Sequence, residues 1–204
     1  MATNSEIWGM FTGIIECTGR ISEIKTDGGN IIFWITSPLF EELKVDQSVS
    51  HNGVCLTVEE IRNGMHRVTA IEETLDKTNL RHWKEGTIIN LERSMLANGR
   101  FDGHIVQGHV DCTAQCVAVT NKNGSWEFEF AFPKSFAELI IEKGSVCING
   151  ISLTCFNVTD DNFTVAIIPY TFEHTNMGSL KKNDMVNIEW DMVGKYVAKL
   201  TKPG

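Results

Sequence analysis

The sequence predicts an all-β protein made of two copies of one small antiparallel barrel or sandwich. Aligning the chain with itself at an offset of 97 residues gives 14 identities over the 45 positions from residue 48 to residue 92, which indicates an internal duplication. The readable elements of the first copy are short β-branched or alternating runs separated by Gly, Asn and Asp, at residues 31–35, 54–58, 67–71 and 88–91. Many short strands joined by turns are typical of small antiparallel barrels.

The alignment of the two copies indicates where one domain ends and the next begins. Upstream the offset becomes 95, so that Gly13 meets Gly108 and Cys17 meets Cys112, and the second copy holds two extra residues before Ser145. We therefore expect two homologous domains at residues 10–98 and 99–189, followed by a C-terminal helix and tail at residues 190–204. Residues 1–9 precede the patterned sequence and are expected to be an extension or an expression remnant.

Helices are expected at three places between and after the strands. In the first copy Ser37 and Pro38 suit an N-cap and a first helical position, and in the second copy residues 135–138 form a capping-box pattern with Gly144 as the stop. Asp191 can cap a C-terminal helix, because the apolar residues after it recur at helical spacing: Met192, Val193, Tyr196, Val197 and Leu200. The first copy has no counterpart of this last helix, which therefore needs a partner of its own.

Composition excludes several classes of function. Lys and Arg total 18 against 26 for Asp and Glu, and a net charge of -8 without a basic stripe argues against a nucleic-acid partner. Apolar runs are too short to span a bilayer and no signal-peptide pattern is seen, so we expect a cytoplasmic protein with no membrane partner. The six cysteines are expected to be free thiols. Phosphate-loop and dinucleotide motifs are absent from the sequence, as is a Ser-His-Asp set with supporting context.

The duplicated Asn-Gly-x-x-Leu-Thr motif is the sharpest local signal of a site. Asn-Gly favours a tight turn, and on the alternating strand after it Cys55 and Thr57 share one face, as Ser152 and Thr154 do in the second copy. The leucine between each pair is expected to point into the barrel. An exposed polar strand face would explain either motif alone. Because the paired positions keep hydrogen-bonding groups while differing in chemistry, we interpret them as equivalent walls of two ligand sites.

Two histidines near cysteines invite a zinc interpretation that the spacing does not support. His104 and His109 are five residues apart, which would place them on opposite faces of a strand, and there is no Cys-x-x-Cys. We expect no metal site, and either histidine taken alone is as readily structural as functional. Thr78 and Thr175 suit turn or cap roles.

Four motifs taken together resemble the riboflavin synthase family, whose members contain a duplicated lumazine-binding domain. They are Met-Phe-Thr-Gly-Ile-Ile-Glu at residues 10–16, the two Asn-Gly motifs at residues 52–58 and 149–154, and Gly-His to Gly-His-Val-Asp at residues 103–111. The likeness runs from Met10 to about Leu200. Asn149 departs from the pattern, because some family members carry an acidic residue there.

The resemblance implies two similar six-stranded Greek-key barrels and a homotrimer assembled through the C-terminal helix. It implies conversion of two molecules of 6,7-dimethyl-8-ribityllumazine to riboflavin and 5-amino-6-ribitylaminouracil, with substrate held between the N-terminal barrel of one subunit and the C-terminal barrel of its neighbour. No cofactor is implied, and association with lumazine synthase is left open. A non-catalytic lumazine or flavin carrier of the same fold is the alternative, and retention of Cys55, His109, Ser152 and Thr154 argues against it.

The resemblance also implies roles for individual residues. Positions implicated in family catalysis are His109, Ser152, Thr154, Cys55 and Asp191. The N-terminal site is expected to be lined by Gly13, Ile14, Ile15, Ser48, Cys55, Leu56, Thr57, Thr69, Ala70, Ile71, Glu72, Glu73 and Thr74. The C-terminal site is expected to be lined by Gly108, His109, Val110, Lys143, Ser152, Leu153, Thr154, Ile168, Pro169, Tyr170, Thr171, Phe172 and Glu173.

Overall fold

The computed structural model describes residues 9–201, which fold into two antiparallel β-structures with short helices. The expected extension at residues 1–9 lies almost entirely outside the described residues. Within residues 9–201, no helix is long and apolar enough to cross a membrane. The six cysteines are free thiols, as expected.

The first copy forms a seven-stranded sheet. Its strands are β1 (Cys17–Asp27), β2 (Asn30–Thr36), β3 (Ser48–His51), β4 (Val54–Thr57), β5 (Glu60–Arg62), β6 (Met65–Ala70) and β7 (Ile88–Arg93). They are hydrogen-bonded in the order β4-β3-β7-β1-β2-β6-β5. The four strands read from the sequence are β2, β4, β6 and β7, each within two residues of the expected bounds.

The second copy forms a closed six-stranded barrel, as the resemblance implied. Its strands are β8 (Cys112–Asn121), β9 (Trp126–Ala131), β10 (Ser145–Ile148), β11 (Ile151–Phe156), β12 (Asn162–Ile167) and β13 (Met185–Trp190). The hydrogen-bonded order is β10-β11-β12-β9-β8-β13, and β13 pairs with β10 to close the barrel. Six strands of the first sheet follow the same order, so the two copies share one topology.

The two copies differ where the barrel closes. In the second copy β11 continues far enough for Cys155 and Phe156 to pair with β12. In the first copy β4 ends at Thr57, and a turn at Asn63 and Gly64, both with positive φ, sends the chain back as the hairpin β5-β6. Between β4 and β5 the Glu59 N–H donates to the Arg67 carbonyl of β6 at 2.9 Å. The sheet is thus six barrel strands plus one extra strand.

Short helices connect the strands, and one expected cap is wrong. The α-helices are α1 (Glu72–Lys77), α2 (Pro169–His174) and α3 (Met192–Thr201), and the 3-10 helices are Pro38–Glu41, Asn79–His82, Lys134–Leu139 and Asn176–Ser179. Ser37 precedes the first 3-10 helix as expected, without a side-chain capping bond. Ser135 was expected to cap, but it lies inside Lys134–Leu139, because Pro133 supplies the extended cap position. That helix also ends at Leu139, short of Gly144.

Buried asparagines hold the two copies together around a pseudo-twofold axis. They occupy equivalent positions in each copy, Asn52 with Asn149, Asn79 with Asn176, and Asn90 with Asn187. The Asn90 side chain donates to the Asn149 carbonyl and the Asn187 side chain donates to the Asn52 carbonyl, both at 2.9 Å. Because buried amides must be fully paired, this network specifies one docking of the two copies.

The first sheet buries two histidines where the second barrel buries apolar residues. His51 Nδ1 lies 3.0 Å from the Val49 carbonyl oxygen, and His51 Nε2 lies 2.9 Å from His66 Nε2. When Nδ1–H of His51 donates to that carbonyl, its Nε2 accepts from His66, and both rings are neutral. Burial lowers the pKa of both rings, that of His66 to about 4. The equivalent residues of the second core are Ile148 and Phe163.

The two buried histidines should lower the free energy of unfolding as the pH falls from 6.5 towards 4, whereas Glu92 and Glu189, whose pKa burial raises to about 7, act in the opposite direction. Unfolded histidine binds a proton near pH 6.5, whereas the folded rings do so only at lower pH, so the unfolded state binds more protons in this window. For His66 the difference corresponds to about 3 kcal/mol. Urea titrations at pH 7.5 and pH 5 measure about 2 kcal/mol of this contribution. The double variant His51→Ile, His66→Phe carries the residues of the second barrel and should lose distinctly less stability, so an equal loss would contradict the assignment.

Candidate active site

The segments that precede the first strand of each copy are exchanged between the copies. Phe11 and Val106 form an antiparallel bridge, with N–H to carbonyl distances of 2.7 and 3.0 Å. We call residues 11–15 the first entry segment and residues 106–110 the second entry segment. Beyond the bridge the Gly13 carbonyl accepts from the Ser152 N–H at 2.8 Å, and the Gly108 carbonyl accepts from the Cys55 N–H at 3.0 Å. We call β4 and β11, the strands that follow the two Asn-Gly turns, the polar strands. Each polar strand is therefore covered by the entry segment of the other copy.

This exchange corrects the expected division of residues between the two sites. Ile15 packs against the core of the second barrel, and Val110 packs against the core of the first sheet. Gly13, Ile14 and Ile15, expected at the N-terminal site, therefore accompany Ser152. Gly108, His109 and Val110, expected at the C-terminal site, accompany Cys55. The physical reason is the bridge at Phe11, which crosses the two segments before they reach the polar strands.

Glycine is required at both crossing points. Gly13 has φ +78°, and a Cβ on it would lie 2.6 Å from the Ser152 Cβ. Gly108 has φ +76°, and a Cβ on it would lie 2.5 Å from the Cys55 Cβ. A side chain at either position meets both an unfavourable backbone conformation and a steric clash. The entry segments can lie this close to the polar strands only because these residues lack a side chain.

We call the surroundings of Cys55 the first half-site and those of Ser152 the second half-site. The first half-site is a cavity of about 220 Å³ between β4, α1 and the second entry segment. Its walls are formed by Val54, Cys55, Glu73, Thr74, Lys77, Thr78, Gly108, His109 and Val110. Cys55 is half-buried, and burial raises the pKa of its thiol, which keeps it protonated at neutral pH. His109 is exposed at the mouth. The structure thus brings together Cys55, Glu73, Thr74, Gly108, His109 and Val110 of the expected set.

The second half-site is centred on Ser152 and His104. His104 Nδ1 lies 2.6 Å from the Ser152 hydroxyl oxygen, and the His104 N–H donates to the Thr12 carbonyl at 3.1 Å. Burial lowers the pKa of His104, and the carboxylate of Asp191 opposes that shift. Asp191 also caps α3, accepting from the Val193 N–H at 2.9 Å. A neutral imidazole bonded to a hydroxyl can accept or return a proton.

His104 is the site residue that sequence analysis missed. The spacing of five residues between His104 and His109 was interpreted as if both lay on one strand. Residues 103–109 instead form loops and one bridge, so the argument from strand faces does not apply. Ser152 and His104 lie 48 residues apart in the chain, and Asp191 lies a further 39 residues beyond Ser152. No local pattern marks such a group, although the sequence was expected to lack a supported Ser-His-Asp set.

Four expected lining residues have side chains that are buried in the core or bonded to another side chain. Leu56 and Ala70 are buried in the core of the first sheet, so only their backbones remain available to a ligand. Phe172 stacks on Trp126 at 3.8 Å between ring centroids. The Thr69 hydroxyl donates to Glu59 at 2.9 Å. The resemblance implied that all four residues line a site. Strand alternation explains why the side chains of Leu56 and Ala70 lie in the core.

The remaining expected residues are at least partly accessible. Ile14, Ile71, Ile168 and Tyr170 are large apolar side chains that are exposed. The residues that are exposed or half-buried without being large apolar groups are Ser48, Thr57, Glu72, Lys143, Thr154, Pro169, Thr171 and Glu173; Leu153 is partly buried against the second core. Residues 9–201 contain no group of three or more His, Cys, Asp or Glu side chains able to hold a metal ion. That activity needs no added metal stays a prediction.

Comparison with known proteins agrees with this geometry. The lumazine binding domain family matches the chain twice, at residues 12–94 and 107–191. The riboflavin synthase of Actinobacillus pleuropneumoniae is 41% identical over 197 residues, covering 95% of this chain and 92% of that protein. The riboflavin synthase of Bacillus subtilis (strain 168) is 39% identical over 189 residues, covering 92% of this chain and 88% of that protein.

Solved structures show the same architecture. LumP complexed with 6,7-dimethyl-8-(1'-D-ribityl) lumazine superposes with a TM-score of 0.80 at 25% identity, covering 88% of this chain and 98% of that chain. LumP complexed with riboflavin gives a TM-score of 0.82 at 24% identity, which supports the fold. The extent and identity of the matches to curated enzymes decide the family. The chain belongs to the riboflavin synthase family of transferases and carries the lumazine-binding domain twice.

Proposed function

We propose that this chain makes one riboflavin from two molecules of 6,7-dimethyl-8-ribityllumazine, releasing 5-amino-6-ribitylaminouracil. One lumazine donates a four-carbon unit to the other. The atoms of two lumazines equal those of the two products, so the reaction consumes no oxidant or reductant. Purified chain incubated with the lumazine should develop riboflavin fluorescence, and a chain that binds the lumazine without this change would contradict the proposal.

The observation that carries the proposal is the pair of equivalent half-sites. Each consists of a polar strand after an Asn-Gly turn, covered by the entry segment of the other copy through a backbone bond of 2.8 to 3.0 Å. A reaction between two copies of one molecule needs two similar binding surfaces. The half-sites differ in chemistry, with a thiol at Cys55 and a hydroxyl bonded to imidazole at Ser152, which suits unequal roles for donor and acceptor.

The residues of the half-sites would orient the rings and move protons. The lumazine ring is electrophilic at C7 and its 7-methyl group is acidic, so the protein has to align the two rings and provide a base. His104, bonded to the Ser152 hydroxyl, would receive or return a proton in the second half-site. His109, at the mouth of the first cavity, is placed for the same task there. Thr154, Asp191 and Cys55 complete the catalytic set that we propose.

We further propose a homotrimer assembled through α3, with two lumazines meeting between the first domain (residues 10–98) of one subunit and the second domain (residues 99–189) of its neighbour. On α3 the side chains of Val193, Tyr196, Val197 and Leu200 are exposed, and Leu200 has 83% of its surface accessible. Beside them an apolar groove of about 520 Å³ lies between α3 and Leu139 and Ile141. An unpartnered apolar surface of this kind marks an interface. The free thiols favour a cytoplasmic location.

The variant Leu200→Glu should lower the molar mass in light scattering from trimer to monomer. The substitution places a charge on the apolar surface of α3, where burial against another subunit would be strongly unfavourable. Lys199→Glu, a charge change at the adjacent exposed position, should leave the mass unchanged. A Leu200→Glu protein with the parent mass would contradict assembly through α3.

A non-catalytic carrier of lumazine or flavin is the second candidate function, because LumP shares the fold and its crystal structures hold such ligands. The Ser152–His104 pair distinguishes the candidates, since binding alone does not need a hydroxyl with a proton acceptor 2.6 Å away. Turnover of the lumazine to riboflavin decides between them.

A further inference from the structure

Two buried glutamates bind the entry segments from the strand faces that carry Asn90 and Asn187, opposite the core residues of β7 and β13. Glu92 on β7 is 4% exposed and Glu189 on β13 is 2% exposed. One oxygen of Glu92 accepts from the Thr12 N–H at 2.6 Å and the Thr12 hydroxyl at 2.8 Å, and the other accepts from the Gly13 N–H at 3.0 Å. Both oxygens of Glu92 are thus bonded to the first entry segment.

Glu189 makes the equivalent contacts in the second copy. Its two oxygens accept from the Gln107 N–H at 2.7 Å and the His109 N–H at 2.9 Å. These two donors flank Gly108, the residue whose carbonyl binds Cys55. A carboxylate that accepts one N–H bond with each oxygen fixes both the position and the orientation of the backbone segment between the two donors. Displacing either oxygen would therefore move Gly108 and His109 relative to Cys55.

Because the entry segments are exchanged, each glutamate acts on the half-site of the other copy. Glu92 belongs to the first copy and holds Gly13, which lies against Ser152 of the second. Glu189 belongs to the second copy and holds the segment that lies against Cys55 of the first. We propose that Glu92 and Glu189 are positioning residues with crossed targets: Glu92 determines ligand binding at Ser152, and Glu189 determines ligand binding at Cys55.

The inference rests on the proposed function, since it takes the two half-sites to be where the lumazine and riboflavin bind. Both carboxylates are bonded to the entry segments, so in this proposal they act on the ligand through those segments. A merely structural role predicts a different pattern. Loss of either buried carboxylate would then lower stability and weaken both half-sites alike, whereas a positioning role weakens one half-site and spares the other.

Glutamine substitutions test this with little change in shape. In Glu189→Gln one acceptor oxygen becomes an NH₂ group that faces a backbone N–H, so one of the two bonds is lost and two donors oppose each other. We expect riboflavin to bind at the Cys55 half-site at least about 10-fold more weakly at about pH 8.5, because Glu189, whose pKa burial raises to about 7, is ionised there and the segment loses one of its two charge-assisted bonds. Glu92→Gln is the matched control, since it makes the same change at the equivalent position.

Thiol protection reports each half-site separately. Ser152→Cys gives a chain with a thiol at both equivalent positions, and mass spectrometry of alkylated peptides measures how much riboflavin protects each one. We expect Glu189→Gln to raise the riboflavin concentration for half-protection of Cys55 by about 10-fold and to leave protection of the introduced thiol within about 2-fold. Glu92→Gln should give the reverse pattern. Glu189→Asp and Glu92→Asp, which keep both oxygens, should show the same crossed pattern with smaller shifts.

The pattern of thiol protection supports or overturns the crossed assignment of Glu92 and Glu189. If both thiols shift together in either variant, or if neither shifts, the crossed assignment is overturned. If the glutamine variants do not fold, the aspartate variants carry the same comparison, and equal shifts at both thiols overturn the inference. If riboflavin protects neither thiol in the Ser152→Cys parent, the proposed half-sites themselves fail, and the inference fails with them for that separate reason.

Discussion

Ser152→Ala should lower the rate of riboflavin formation on the order of 10- to 1000-fold while leaving the fold nearly intact. The Ser152 hydroxyl lies 2.6 Å from His104 Nδ1, so its removal deletes the hydroxyl partner of that imidazole in the second half-site. The side chain is half-buried on β11 and small, so the expected loss of unfolding free energy is about 1 kcal/mol, the contribution of one hydrogen bond. The measurement pairs the initial rate with the thermal midpoint of each variant.

Ser22→Ala is the matched control for the loss of a bonded hydroxyl. Its hydroxyl lies 2.6 Å from the Thr36 hydroxyl on the exposed face of the first sheet, away from both half-sites. We expect a similar small change in stability and an unchanged rate. A Ser152→Ala protein with the parent rate, or one that loses activity only in proportion to folded protein, would show that the Ser152–His104 pair is merely structural.

Gly108→Ala should abolish riboflavin binding at the first half-site and lower turnover by more than about 100-fold. The new Cβ would lie 2.5 Å from the Cys55 Cβ and 2.8 Å from the Cys55 nitrogen, so the second entry segment has to leave β4. With it would move His109 and Val110, which form one wall of the cavity. Riboflavin titration and the initial rate measure the effect.

Gly64→Ala separates the steric clash from the backbone conformation. Gly64 has φ +79°, close to that of Gly108, but a Cβ there meets nothing within 4 Å. Its substitution should therefore cost only about 1 kcal/mol of stability, the penalty for a left-handed non-glycine residue, with turnover unchanged. If Gly64→Ala and Gly108→Ala reduced riboflavin binding equally, the contact with Cys55 would not be the cause.

The fold was predictable wherever its signal was local or repeated. The turns at Asn52-Gly53 and Asn149-Gly150 adopt the positive φ values that Asn-Gly favours, and the strands that follow alternate as expected. Asp191 begins α3 because its carboxylate can reach the N–H two residues on. Thr78 and Thr175 accept from N–H groups two residues later and cap the 3-10 helices, which confirms their expected cap roles.

The candidate site was predictable only in part, because its assembly depends on contacts between distant residues. The bridge from Phe11 to Val106 exchanges the entry segments, and nothing within either segment indicates which polar strand it will cover. The sequence has Glu at the equivalent positions 92 and 189, but no local pattern indicates that these side chains are buried against the entry segments. The sequence therefore indicated Cys55 and Ser152 as walls without indicating which glycine lies on each.

The most direct test of the account is the stoichiometry of turnover by the purified chain. Incubated with 6,7-dimethyl-8-ribityllumazine after exhaustive dialysis against EDTA, it should consume two lumazines for each riboflavin formed and release one 5-amino-6-ribitylaminouracil, as quantified by chromatography. Tight binding of the lumazine with no riboflavin formed would instead identify a carrier. Riboflavin formed without an equal amount of the uracil would contradict four-carbon transfer between two bound lumazines.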